Sequence, residues 1–151
     1  MSGNVYTEIN LHCTWHTKSN VPVLTEKIED RLHHYLKHRV IDTRGVLFHE
    51  IGGTEDHIHL VISISATVLI SDLIGKLKGS SSYYINHEIA NRKLLEWQDG
   101  YGVVSFGTKD LEWVTKYVRD QKEHHKQGTT FKRMERIFLE DDRSIHDRKA
   151  P

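Results

Sequence analysis

His57-Ile58-His59 sets two imidazoles two residues apart in a stretch that alternates apolar and polar side chains. In a β-strand such residues project from the same face, and two imidazoles at that spacing can chelate one divalent cation. The chain carries 12 His in 151 residues, so chance alone supplies about one His-x-His pair. Context separates this pair from chance: Ile58, Leu60, Ile62 and Ile64 occupy the opposite face, which disfavours a plain core role for the histidines. Tyr117 and Gln121 lie at i and i+4, one helical turn apart, and His124 at i+7 extends their stripe. That pattern fits a boundary tyrosine with a wet hydroxyl. It also fits a phenolic nucleophile, with Gln121 or His124 lending a ligand to the same metal. A phenol near pKa 10 needs an ion or base beside it to attack anything. His34 and His38 are also i and i+4, but Tyr35, Leu36 and Lys37 lie between them where a zinc-protease helix needs a glutamate. They read as a solvated helix face.

The rest of the composition narrows the setting. At 151 residues and 37% hydrophobic content the chain suits one domain with a real core. Cys13 is alone, which excludes an internal disulfide and a cysteine-based zinc site. No apolar run approaches the roughly 18 residues of a membrane span, and the first ten residues, MSGNVYTEIN, do not resemble a signal peptide. A cytoplasmic protein is the expectation. Lys+Arg and Asp+Glu are both 21, yet Trp113–Leu139 holds Lys116, Arg119, Lys122, Lys126, Lys132, Arg133 and Arg136 against only Asp120, Glu123 and Glu135. Such a basic stretch matters if the Tyr117 helix works on an anionic substrate, and is otherwise a solvated face.

These residues must be positioned by the elements around them. Ile9, Leu11, Cys13 and Trp15 alternate with polar partners and predict a strand. Thr25 opens a helix with the stripe Ile28, Leu32, Tyr35 and Leu36. Strands follow at Val46–Gly52 and His57–Ser65, joined by Gly52–Asp56. Ser71 or Asp72 starts a second helix through Leu73, Ile74, Leu77, Tyr84 and Ile85, and Tyr101–Gly107 is the fourth strand. Thr108 caps the helix of Leu111, Val114 and Val118, and a last helix spans Thr130–Leu139. The order is βαββαβ, an α+β ferredoxin-like fold: a four-stranded antiparallel sheet with two helices on one face, then a tyrosine-bearing helix and a C-terminal helix. The domain covers 1–140, with a polar tail at 141–151.

Asp56-His57-Ile58-His59-Leu60 resembles the His-hydrophobic-His strand of the single-tyrosine transposases of small bacterial and archaeal insertion sequences. Trp15-His16-Thr17-Lys18 with Val21-Pro22-Val23-Leu24 is similar to that family's first strand exit. Leu77-Lys78-Gly79-Ser80-Ser81-Ser82 resembles its Lys-Gly-Ser helix, and Trp97-Gln98-Asp99-Gly100-Tyr101-Gly102 with Ser105-Phe106 resembles the segment before its tyrosine helix. Lys116 through His125 resembles its Tyr-x-x-x-Gln block, which often continues with a His pair. The resemblance runs from about Leu11 to Phe138.

It implies that His57, His59 and Gln121 are metal ligands, that Tyr117 is the nucleophile, and that the ion is Mg²⁺ or Mn²⁺. It implies nicking and rejoining of single-stranded DNA at hairpin-bearing ends through a 5′-phosphotyrosine. It also implies a homodimer in which the tyrosine helix acts in trans, with Lys116, Arg119, Lys122 and Lys126 tracking phosphates and Tyr83 and Tyr84 as stacking surfaces. A transposase associated with repetitive extragenic palindromes would share this chemistry. A non-catalytic nucleic-acid-binding module on the same fold would survive loss of the Tyr117 hydroxyl, and a His-rich metal-binding protein would hold Zn²⁺ or Ni²⁺ without Tyr117.

Overall fold

In the computed structural model, which describes residues 4–137, strand β1 (Asn10–His16) turns Leu11, Cys13 and Trp15 to one face and His12 and Thr14 to the other. The expected Phe138–Leu139 end of the last helix and the 141–151 tail lie outside the described residues. Helix α1 (Glu26–Ile41) buries Leu32, Leu36 and Val40. Strands β2 (Val46–Gly53) and β3 (His57–Ile64) form a hairpin. Helix α2 (Ile70–Tyr84) buries Leu73, Ile74 and Leu77, then passes into a π-helical turn at Ile85–Ile89. Gly79 and its serine run do not break α2, because Ser80, Ser81 and Ser82 bond back to carbonyls three residues earlier. Strand β4 (Gly102–Phe106) completes an antiparallel sheet of order β2-β3-β1-β4. The β1-α1-β2 unit is thus split by β3, the ferredoxin-like arrangement.

Leu11, Cys13, Trp15, Ile58, Leu60 and Ile62 pack against α1 and α2 as the main core. The other face of the sheet is covered as well. Helix α3 (Leu111–Arg119) lays Val114, Tyr117 and Val118 on Val61, and Met134 of the short helix α5 (Lys132–Glu135) joins them. The single long tyrosine helix expected from the spacing is in fact two. Asp120, at φ −96° and ψ 22°, ends α3, and Gln121 begins α4 (Gln121–Gln127). The C-terminal helix is a single turn rather than the full Thr130–Leu139 span.

Two close approaches fix these layers. A Cβ at Gly52 would lie 2.0 Å from the Val118 carbonyl oxygen, and one at Gly102 would lie 2.0 Å from that of Arg136. Gly52→Ala is therefore expected to destabilise the protein by about 1–3 kcal/mol, by pushing α3 off the sheet. Urea unfolding measures this, and an unchanged midpoint would refute the close docking.

Lys122 secures α4 through its Nζ, 2.5 Å from Glu29 Oε1 and 3.2 Å from Gly53 O. Glu29 Oε2 faces His33 Nε2 at 3.8 Å, both atoms buried. Burial, with the Lys122 charge in second place, pushes the His33 pKa down to about 4. The unfolded chain, with His near 6.5, takes up a proton that the folded chain refuses, so stability falls as pH drops from 6.5 toward 4. The expected loss is about 1–3 kcal/mol by pH 4, since Glu29 offsets part of the penalty once His33 is charged. Melts at stepped pH test this: His33→Gln makes the acid limb shallower, the remainder coming from buried His12 and His59, whose pKa values burial also lowers, and an unchanged limb would exclude His33 as a source.

No helix among the described residues is long and apolar enough to cross a membrane.

Candidate active site

His57 and His59 stand at the start of β3, on the face that α3, α4 and α5 cover. Register pairs His57 with His16 and His59 with Thr14 on β1. The face is polar, as the sequence implied, but it is not wet: His57 is 2% exposed and His59 0%. Each imidazole is gripped from behind. His57 Nδ1 lies 2.7 Å from Asp56 Oδ1 and 2.9 Å from Thr54 Oγ1, and His59 Nδ1 lies 2.6 Å from His12 Nε2. Both Nε2 atoms consequently point inward, the arrangement in which an outer partner fixes the tautomer and aims the second nitrogen at a metal.

Gln121 joins them despite the helix break, because its side chain folds back under α3. Its Oε1 is 3.4 Å from His57 Nε2, its Nε2 is 3.5 Å from the Tyr117 carbonyl, and the residue is 1% exposed. Tyr117 is 2% exposed and sets its ring edge-on to His59 at 6.3 Å. His57, His59, Gln121 and Tyr117, the set that the resemblance implied, therefore lie together.

Glu135 is the residue that sequence reasoning missed. Its Oε1 lies 3.1 Å from His59 Nε2, 3.5 Å from His57 Nε2 and 3.0 Å from His125 Nε2. Its Oε2 accepts a short hydrogen bond from Tyr117 Oη and another from Gln121 Nε2 at 3.3 Å. Phe131 N–H donates to Tyr117 Oη at 3.0 Å. The only signal in the sequence was that Glu135 is one of three carboxylates in a basic stretch. His125, rather than His124, faces the site: His125 Nε2 is 3.0 Å from Gln121 Oε1, whereas His124 stacks on Tyr117 and bonds Thr129.

The electrostatics follow from this crowding. Burial would lower the His57 pKa, but Glu135 and Asp56 outweigh it and the net shift is upward. His59 is pulled down to about 4, chiefly by burial, with Glu135 opposing. Burial and the Glu135 carboxylate together push Tyr117 up to about 12. Glu135 itself is held far below the carboxylate range, because hydrogen bonds from His57 and His59 overcome its desolvation. The site accordingly holds an anion amid imidazoles, with a neutral phenol against it. The nitrogen and oxygen donors aimed at one another suit a divalent cation.

The four basic residues expected along phosphates are divided. Lys116 and Lys126 are exposed, Arg119 pairs with Glu50 at 2.9 Å, and Lys122 holds Glu29. Tyr83 is 62% exposed, but Tyr84 is half-buried and stacks on Tyr35 at 4.4 Å, so it offers no free face for a base. His34 and His38 are exposed, as expected of a solvated face.

Two solved structures share this fold. One is a protein from Deinococcus radiodurans R1, provisionally described as a transposase: TM-score 0.62, 20% identity, covering 85% of this chain and 95% of that one. The other is a REP-associated tyrosine transposase bound to a REP hairpin: TM-score 0.58, 15% identity, covering 86% of this chain and 76% of that one. No curated protein matches the sequence significantly. The family described as "Transposase IS200 like" matches residues 5–121, a span that contains β1, the His57/His59 strand, Tyr117 and Gln121. By that match the chain belongs to the IS200-like transposase family.

Proposed function

We propose that the protein is a DNA transposase that nicks and rejoins single-stranded DNA at hairpin-bearing ends, with Tyr117 as nucleophile and His57, His59 and Gln121 as metal ligands. The observation that carries the reading is the convergence of a buried phenol, two inward-facing imidazoles and an amide on one point at the start of β3. A bound Mg²⁺ or Mn²⁺ supplies Lewis-acid polarisation of the scissile phosphate and neutralises charge that develops there. Tyr117 Oη forms the new bond to phosphorus as the P–O3′ bond breaks, and the phenolic proton is balanced by the proton the departing 3′ oxygen gains. The products are a 5′-phosphotyrosine and a free 3′-OH, and a second 3′-OH reverses the step to join new ends. Burial of Tyr117 and the Glu135 hydrogen bond keep the phenol protonated until DNA enters. Lys116 and Lys126, both exposed, are suited to phosphates flanking the site.

The partner class is a DNA hairpin, a reading supported by the likeness to a protein bound to a REP hairpin. The working assembly is a homodimer and the compartment is the cytoplasm; each chain's Tyr117 lies beside its own His57 and His59, and a tyrosine helix acting in trans requires that α3 and α4 be exchanged between subunits. Labelled single-stranded hairpins incubated with protein and divalent metal should yield label at protein mass after denaturation. Mixing Tyr117→Phe with His57→Ala protein tests the assembly, because restored adduct requires a tyrosine serving the other subunit's histidines. DNA bound without any adduct would favour the non-catalytic module.

A further inference from the structure

We infer that Glu135 and His125 are ligands of the same metal centre, giving it three imidazoles, a carboxylate and an amide, and with them a preference for Mn²⁺ over Mg²⁺. The inference rests on the proposed His57, His59 and Gln121 site and extends it. Among the described residues, His57, His59, His125 and Glu135 form a group whose ligand atoms all lie within 4.8 Å of one another. The individual separations are tighter. Glu135 Oε1 is 3.0 Å from His125 Nε2, 3.1 Å from His59 Nε2 and 3.5 Å from His57 Nε2. Gln121 Oε1 is 3.0 Å from His125 Nε2 and 3.4 Å from His57 Nε2. A metal with bonds of about 2.1 Å places neighbouring donors about 3.0 Å apart at octahedral angles and about 3.4 Å apart at tetrahedral ones. Five of the ten separations among these donors already stand at or near those spacings.

Protons satisfy this cluster only by leaving one ring charged. Three imidazole nitrogens converge on one carboxylate oxygen, so each needs its own N–H to make that contact attractive. For His57, whose Nδ1 is held by Asp56 and Thr54, that means the doubly protonated ring. A single divalent cation satisfies all three lone pairs and both oxygens at once, with every imidazole neutral. The outer partners fit this arrangement too, since Asp56 and His12 hold the Nδ1 atoms of His57 and His59 and leave their Nε2 atoms for the ion.

The donor set also selects the ion. Mg²⁺ prefers oxygen and keeps much of its water, whereas imidazoles suit transition ions. Five protein donors leave an octahedral ion one position for a phosphate oxygen. Because Glu135 Oε2 holds Tyr117 Oη, the same carboxylate then links the ion to the attacking oxygen. The short helix α5 becomes part of the active site through the metal.

The test is Mn²⁺ binding to the full chain, followed by loss of the free-ion signal in electron paramagnetic resonance, without DNA and with Mg²⁺ as competitor. The parent protein should bind one Mn²⁺ and keep it against a hundredfold excess of Mg²⁺. Glu135→Gln and His125→Ala should each weaken binding by on the order of tenfold or more, and His57→Ala should abolish it. Glutamine keeps the size and hydrogen-bonding reach of Glu135. Parent-like binding by Glu135→Gln and His125→Ala, with His57→Ala inactive, would overturn this inference and leave the smaller ligand set standing. Displacement of Mn²⁺ by equimolar Mg²⁺ would overturn the selectivity. Undiminished binding by His57→Ala would overturn both this centre and the proposed site.

Discussion

Tyr117→Phe protein is expected to form no covalent adduct with hairpin DNA, a loss of at least about 10³-fold, because the substitution deletes the only atom proposed to attack phosphorus. The fold should tolerate it. The ring keeps its stacking on Trp113 at 5.6 Å and on His124 at 4.6 Å, and its packing with Val114, Val118 and Met134. What is lost is the hydroxyl's bond to Glu135 and the acceptor for Phe131 N–H, a cost of about 1–2 kcal/mol. DNA binding should persist, so a denaturing gel and a gel-shift on the same samples separate chemistry from recognition. An adduct that survives in Tyr117→Phe would mean that another of the six tyrosines is the nucleophile. Cleavage without adduct would point to water. The parent enzyme should also be sluggish toward DNA at neutral pH in the absence of metal, because a phenol pushed up to about 12 offers almost no phenolate.

The strands and the two sheet-packing helices were legible because each buries one face, which imposes a period of two or 3.6 on side chains such as Leu11, Cys13 and Trp15 or Leu32, Leu36 and Val40. The pairing of Tyr117 with Gln121 was legible from spacing, but for an incomplete reason. The helix breaks at Asp120, and Gln121 reaches the site by folding its amide back to the Tyr117 carbonyl. Burial of the histidine face was not legible. His12, Thr14, His57 and His59 read as a solvent face, and only a third layer anchored on Val61 turns them inward. Glu135 was invisible for a related reason. It reaches the site because Gly102 admits the Arg136 backbone against β4, a long-range contact that leaves no periodic trace around residue 135. Lys122 read as one more phosphate contact, and the structure gives it Glu29 and the Gly53 carbonyl as partners.

Removing either inward imidazole is expected to eliminate cleavage, by at least about 10²-fold, in a graded series with Gln121→Ala milder at about tenfold. The gradient follows from what each side chain holds. His57 is oriented by Asp56 and Thr54, and its loss takes one contact each from Asp56, 27% exposed, Thr54, Gln121 and Glu135, of which Thr54 keeps Asp56 and both Gln121 and Glu135 keep His125, so His57→Ala should fold nearly as well as the parent. His59 is different: it is fully buried between His12 Nε2 and Glu135 Oε1, and alanine there strands buried His12 Nε2 and leaves Glu135 Oε1 only His125 and His57, costing about 1–3 kcal/mol of stability. Loss of activity in His59→Ala is therefore informative only beside its melting temperature, whereas in His57→Ala it reports on the chemistry directly. Gln121 supplies one oxygen among several donors within reach, and His125 and Glu135 remain beside the ion when it is truncated. Adduct yield against Mn²⁺ concentration separates the cases, since a lost ligand is partly rescued by excess metal and a lost nucleophile is not. Full cleavage by His57→Ala at low Mn²⁺ would remove the metal from the His-Ile-His strand. A Gln121→Ala defect as deep as that of His57→Ala, and equally deaf to added metal, would mean that Gln121 serves to place Tyr117 through its carbonyl rather than to hold the ion.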